Sequence, residues 1–171
     1  MFLARKITQA KWRPKKGFAK GEIAADAVTA DLKTQDNSLS FWRCATATTD
    51  DLEKAALAIA ATRNRVEKLE IVWLTDDDLR DDDQTLIDTE GKTPVPELTG
   101  LHVDVCRLDY VRLGKVVSRI AIALENCRWC RISKGRVKKL LVGVVEQRRV
   151  ELADLQESIQ TEVRESLEAE K

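Results

Sequence analysis

The chain has 171 residues, with 29 Lys and Arg against 29 Asp and Glu and 43% hydrophobic residues. That is enough apolar material for a core, which argues against wholesale disorder, and the length suits one domain, or one domain with an appended helix. No apolar run approaches the ~20 residues that cross a bilayer. The start, Met1-Phe2-Leu3-Ala4-Arg5-Lys6, lacks signal-peptide order, so a cytoplasmic protein without membrane contact is expected.

In chain order, Leu3 to Ile7 reads as a first strand, and Gly21 to Leu32 fits either a short helix or irregular chain. Leu39-Ser40-Phe41-Trp42-Arg43-Cys44 follows the turn signal Gln35-Asp36-Asn37 and reads as a strand. Asp50 with Glu53 three residues later fits a capping-box-like helix entry, and Leu52, Ala55, Ala56, Ile59, Ala60 and Val66 then share a face. Leu69-Glu70-Ile71-Val72-Trp73-Leu74 is a second apolar strand. Two strands joined by such a helix predict a parallel pair with a right-handed crossover.

Residues 75–100 turn polar and read as a long loop. His102 to Leu108 alternates as a strand does, and Asp109 can cap a helix whose face is Leu113, Val116, Val117, Ile120 and Leu124. Cys127-Arg128-Trp129-Cys130-Arg131 reads as a turn into the last helix, with Ser133 as its N-cap. From there apolar residues recur in helical steps to Leu167. An unbroken helix of ~35 residues would be roughly 52 Å long. A 171-residue domain is only ~40 Å across, so such a helix breaks, protrudes or finds a partner.

Charge is segregated along the chain. Arg5, Lys6, Lys11, Arg13, Lys15, Lys16 and Lys20 stand among the first twenty residues without an acid, and a second basic block runs from Arg128 to Lys139. The middle holds Asp76, Asp77, Asp78, Asp81, Asp82 and Asp83. Such blocks neutralise one another or offer a face to a polyanion.

Three chemistries compete. Clustered carboxylates at 76–83, above all Asp76, Asp77 and Asp78, are the type of oxygen ligand that holds Mg²⁺ or Ca²⁺ for a hydrolase or phosphoryl-transfer enzyme. The run lacks the spaced ligands of a calcium loop, and a solvated acidic loop is preferred. Basic segments 5–20 and 128–139, through Arg13, Lys15, Lys16, Arg128 and Arg131, could neutralise nucleic-acid phosphates. Cys127 and Cys130 supply half a zinc site; with Cys44 and Cys106 isolated and His102 the only histidine, reduced thiols are the simpler account. No nucleophile elbow, P-loop or dinucleotide glycine pattern is present, and no cofactor is expected.

These observations predict an α/β fold. A small mixed sheet with a βαβ unit, covered by helices, would occupy 1–132, and a long C-terminal amphipathic helix 133–171. That helix either serves as an interaction helix or bends near Gly143 or Arg148-Arg149 and packs back on the domain. The favoured function is non-enzymatic: an adaptor, regulatory or antitoxin-like subunit that binds another protein or itself. Its contact would be the helix stripe Leu152, Leu155, Ile159, Val163 and Leu167.

Overall fold

A computed structural model describes residues 1–13, 16–19 and 22–169 of the protein. The fold is α/β. Six strands, β1 (Phe2–Ile7), β2 (Leu39–Cys44), β3 (Leu69–Thr75), β4 (Thr85–Asp88), β5 (His102–Cys106) and β6 (Trp129–Ile132), form one sheet. Its order is β4-β5-β2-β1-β3-β6, and all neighbours pair antiparallel.

Both β2 and β3 are antiparallel to β1, so they run in the same direction around α3 (Thr49–Ala60). They are not neighbours, which corrects the expected direct parallel pair. The N-terminal strand lies between them, and its Leu3 and Ala4 are fully buried on opposite faces. A strand apolar on both sides gains most from the centre of a sheet covered twice.

Alternation along the strands divides the core in two. One face, with Ala4, Trp42, Leu69 and Ile71, packs under α3, α6 (Lys134–Glu146) and α7 (Glu157–Ala169). The other, with Leu3, Phe41, Val72 and Val103, packs under α5 (Tyr110–Glu125) and residues of the short helices α1 (Gln9–Trp12), α2 (Ala25–Asp31) and α4 (Asp76–Arg80). Asp109 and Ser133 cap α5 and α6, each accepting from the backbone N–H three residues on. For α3 the cap falls at Thr48 rather than Asp50, and Glu53 turns instead to Arg136.

Residues 75–100 are not one loop: they fold into α4, the edge strand β4 and the short 3-10 helix Pro96–Leu101. Thr75 and Asp78 close a reciprocal capping box that starts α4 within the acidic run. Residues 129–132, expected as a turn, are the opposite edge strand β6.

The C-terminal stretch divides into α6 and α7 instead of forming one helix. Arg148 takes φ 54°, and its N–H reaches the Val145 carbonyl while that of Arg149 reaches Val144. This pair of bonds terminates a helix by satisfying its last carbonyls. The chain reverses, and α7 returns along α6. Leu155, Ile159 and Val163 are buried in the domain's own core, with Leu152 and Leu167 packed at its margin.

Candidate functional site: a polar groove over the sheet

The ladder between β1 and β2 ends at Ala4 opposite Trp42, whereas β1 continues beside β3 to Ile7. The two strands part at Arg5, and its guanidinium occupies the gap. Nη1 donates to the Ser40 carbonyl, while Nε and Nη2 donate to the Asp31 carbonyl at the end of α2, at 3.2 and 2.6 Å. Arg5 thus satisfies a carbonyl of a neighbouring strand and one at a helix end, groups that would be costly to bury unpaired. Its flank lies 5.6 Å from the Phe41 ring centre.

Among the described residues, no carboxylate forms an ion pair with Arg5. Asp31 is the near candidate, but its oxygens are held by the Thr8 N–H at 2.6 Å, the Thr8 hydroxyl at 2.9 Å and the Trp12 indole at 2.9 Å. Burial pulls Arg5 down to about 10, against the attraction of Asp31 and Asp104. The group is therefore still a cation at neutral pH.

Arg5 joins two compartments of an open groove. The larger, of about 1050 Å³, runs between α1, α2 and the end of α3; it presents Arg5, Lys6, Lys11, Lys33 and Arg63 against Asp26 and Asp31. The smaller, of about 650 Å³, presents Arg5, Lys33 and Lys92 against Asp36, Glu90 and Asp104. The first sets five bases against two acids and the second three against three. Arg5 and Lys33 belong to both, and Lys6 is paired at 2.9 Å with Glu67 outside the first lining, so the first remains the more cationic.

The balanced compartment contains a hydrogen-bonded chain. Ser40 donates to Asp104 at 2.9 Å, Thr89 donates to the other Asp104 oxygen at 3.0 Å, and His102 Nδ1 lies 2.7 Å from the Thr89 hydroxyl. The His102 ring stands edge-on to Trp42, 5.0 Å between centres. Burial holds the imidazole below its ordinary value, against the pull of Asp104. The Ser40 hydroxyl meets a carboxylate, not the imidazole, so this chain lacks the nucleophile-to-base contact of a hydrolytic triad. Gly91 lies against the Trp42 ring so closely that a Cβ there would fall 2.5 Å from it.

The basic residues named from sequence separate into two groups. Arg128 bonds Asp78 at 2.7 Å, and Arg131 pairs with the buried Glu70 at 2.8 Å. Glu70 also accepts from the Gln9 backbone, so the two basic segments do approach one another around that carboxylate. Arg13 and Lys16 are exposed, and Lys15 lies outside the described residues. The second basic block is thus largely answered within the fold at Arg128, Arg131 and Arg136, while cations from the chain's front half line the groove.

The acidic run is partly answered in the same way. Asp76 meets Arg43 at 3.5 Å, Asp78 meets Arg128, and Asp82 meets Arg119 at 2.6 Å. Asp77 is exposed. Among the described residues no group of three His, Cys, Asp or Glu is arranged to hold a metal ion. Cys127 sits exposed on a turn, and Cys130 lies on β6 against the core. Among the described residues, no helix is long and apolar enough to cross a membrane.

Sequence periodicity could not reveal the groove. Arg5, Ser40 and Asp104 look like ordinary polar positions on three strands, and only the sheet order makes them neighbours. No protein-family model, curated protein or solved structure matches this chain.

Proposed function

We propose that this protein acts by binding rather than by catalysis, as a regulatory or adaptor-type subunit, and that the groove takes a phosphate-bearing anion. Arg5 carries the reading: a cation held by backbone carbonyls, with no carboxylate ion pair among the described residues, on the floor of an open cationic compartment. Guanidinium and ammonium groups converging in a partly desolvated cleft favour phosphate over chloride, because its oxygens accept several charge-assisted hydrogen bonds at once. The test is thermal unfolding in phosphate and in chloride at matched ionic strength. A ligand that binds only the folded state raises the melting temperature, and Lys33→Glu with Arg63→Glu should remove that rise. Equal melting in the two salts would defeat the proposal.

A second reading keeps a protein partner but moves the contact to α5. Its outward side exposes Tyr110 at 95%, Val111 at 71% and Ile122 at 44%. Val111 and Ile122 are three turns apart and share a side of the helix. Val111→Glu should dissolve any oligomer seen by light scattering, and a wild type that is monomeric and retains no partner on purification removes this reading.

A further inference from the structure

We infer that the groove binds a small phosphorylated sugar, a sugar phosphate or a nucleotide, with its phosphate beside Arg5 and its sugar hydroxyls on Asp104. This rests on the phosphate reading above and assigns the other half of the ligand. The two compartments meet at Arg5 but differ in charge, so an occupant of both is itself asymmetric: anionic at one end, neutral and polar at the other. A nucleic-acid strand does not fit that demand, since its evenly spaced phosphates would run beside Asp36, Glu90 and Asp104.

Asp104 supplies the positive argument for a sugar. Each of its oxygens receives one protein hydroxyl, Ser40 at 2.9 Å and Thr89 at 3.0 Å, which fixes the carboxylate plane. A carboxylate oxygen has two lone pairs, so one acceptor site on each oxygen is not used by these contacts. Two acceptors on one rigid carboxylate match adjacent hydroxyls on a sugar ring, the same chemistry by which an acidic residue holds a ribose. The carboxylate also repels phosphate, which orients the ligand.

The experiment is calorimetric titration of the full chain with inorganic phosphate, ribose 5-phosphate, adenosine 5′-monophosphate and a single-stranded ten-nucleotide DNA. The inference expects at least one monoester to bind about tenfold tighter than inorganic phosphate, the scale of hydrogen bonds to a charged acceptor. Asp104→Asn should erase that advantage while leaving inorganic phosphate bound as well or better, since it removes a repelling charge. Ser40→Ala, a change at an exposed side chain, should reduce the advantage in the same sense. Lys33→Glu should weaken every probe. Ribose 5-phosphate and the mononucleotide distinguish a sugar phosphate from a nucleotide as the ligand.

Monoesters no tighter than inorganic phosphate would overturn the sugar assignment and leave the phosphate reading standing. The same holds if the DNA is preferred, with affinity falling steeply in salt. If no phosphate compound binds, the phosphate reading fails and this inference with it.

Discussion

Cys44 sits at the end of β2 beneath α3, and burial pushes its thiol up to about 12, with Asp51 adding to the shift. The thiolate is the reactive form, so Cys44 should resist alkylation at pH 8 while the exposed Cys127 reacts. Peptide mapping after a brief iodoacetamide pulse checks this. Fast labelling of Cys44 in the folded protein would show that α3 does not seal it. His102 behaves in the related way for a base: held below its ordinary value, it binds fewer protons folded than unfolded. Its contribution to stability is present above about 6.5, the ordinary imidazole value, and declines as pH falls below it.

Three helices end in the same manner without a glycine. After α4, α5 and α6 the left-handed residue is Asp83, Cys127 or Arg148, at φ 58°, 56° and 54°. In each case two reversed bonds close the turn: Asp83 to Arg80 and Gln84 to Leu79, Cys127 to Leu124 and Arg128 to Ala123, Arg148 to Val145 and Arg149 to Val144. A side chain in that conformation costs roughly 1–2 kcal/mol, which glycine avoids, though glycine also loses more freedom on folding. Arg148→Gly should therefore stabilise the protein by about 0.5–1 kcal/mol in urea unfolding. A destabilised variant would mean that the Arg148 side chain contributes more than its backbone costs.

At the other end of α4, burial would raise Asp78, but the Thr75 bonds and Arg128 outweigh it and hold the carboxyl below its ordinary range. Asp51, bonded by Lys54 and Thr46, is held at about 2, and the Asp82 carboxyl is lowered chiefly by its bond from Arg119. Groups with depressed folded values bind more protons when unfolded, so stability rises with pH through their range. The urea midpoint should hold steady as pH falls until roughly 4, apart from the decline that His102 brings below its ordinary value, then drop towards 2. Asp78→Asn should start from a lower midpoint and show a shallower acid limb. An unchanged limb would remove Asp78 from the account.

On the scale of the whole molecule the C-terminal helix closes the core. Ile159 and Val163 are wholly buried in the core that α7 shares with α6, and Lys134 pairs with Glu162 at 2.8 Å across the hairpin. Ile159→Ala should cost about 2–4 kcal/mol by opening a cavity. Ile159→Asp, which buries a charge without a partner, should cost more. Removing residues 150–171 should leave an aggregating or unfolded chain, because the side of α6 that faces α7 would lie bare. A truncated protein that melts cooperatively near the wild-type temperature would return α7 to the role of a separable interaction helix.

The separate elements were legible because their signals are local. Short apolar runs marked Leu39–Cys44 and Leu69–Leu74, alternation marked the strand at His102, the 3.6-residue period marked α3 and α5, and Asp109 and Ser133 sit directly before the helices they cap. Apolar periodicity also identified the stripe of α7, since a buried face and a partner-seeking face have the same pattern. Sequence offered Gly143 and Arg148-Arg149 as places where the tail could bend, and the left-handed turn at Arg148, which carries no glycine to single it out, is the one that lays the stripe on the domain. The sheet order was equally hidden: nothing local tells Phe2–Ile7 to enter between β2 and β3, because strand pairing is settled by the burial of both its faces. The groove follows from that insertion. Arg5 belongs to a strand by sequence, and it becomes the floor of a cationic cleft because the β1–β2 ladder stops at Ala4, which leaves the Ser40 carbonyl to its guanidinium, while the end of α2 brings the Asp31 carbonyl to the same gap.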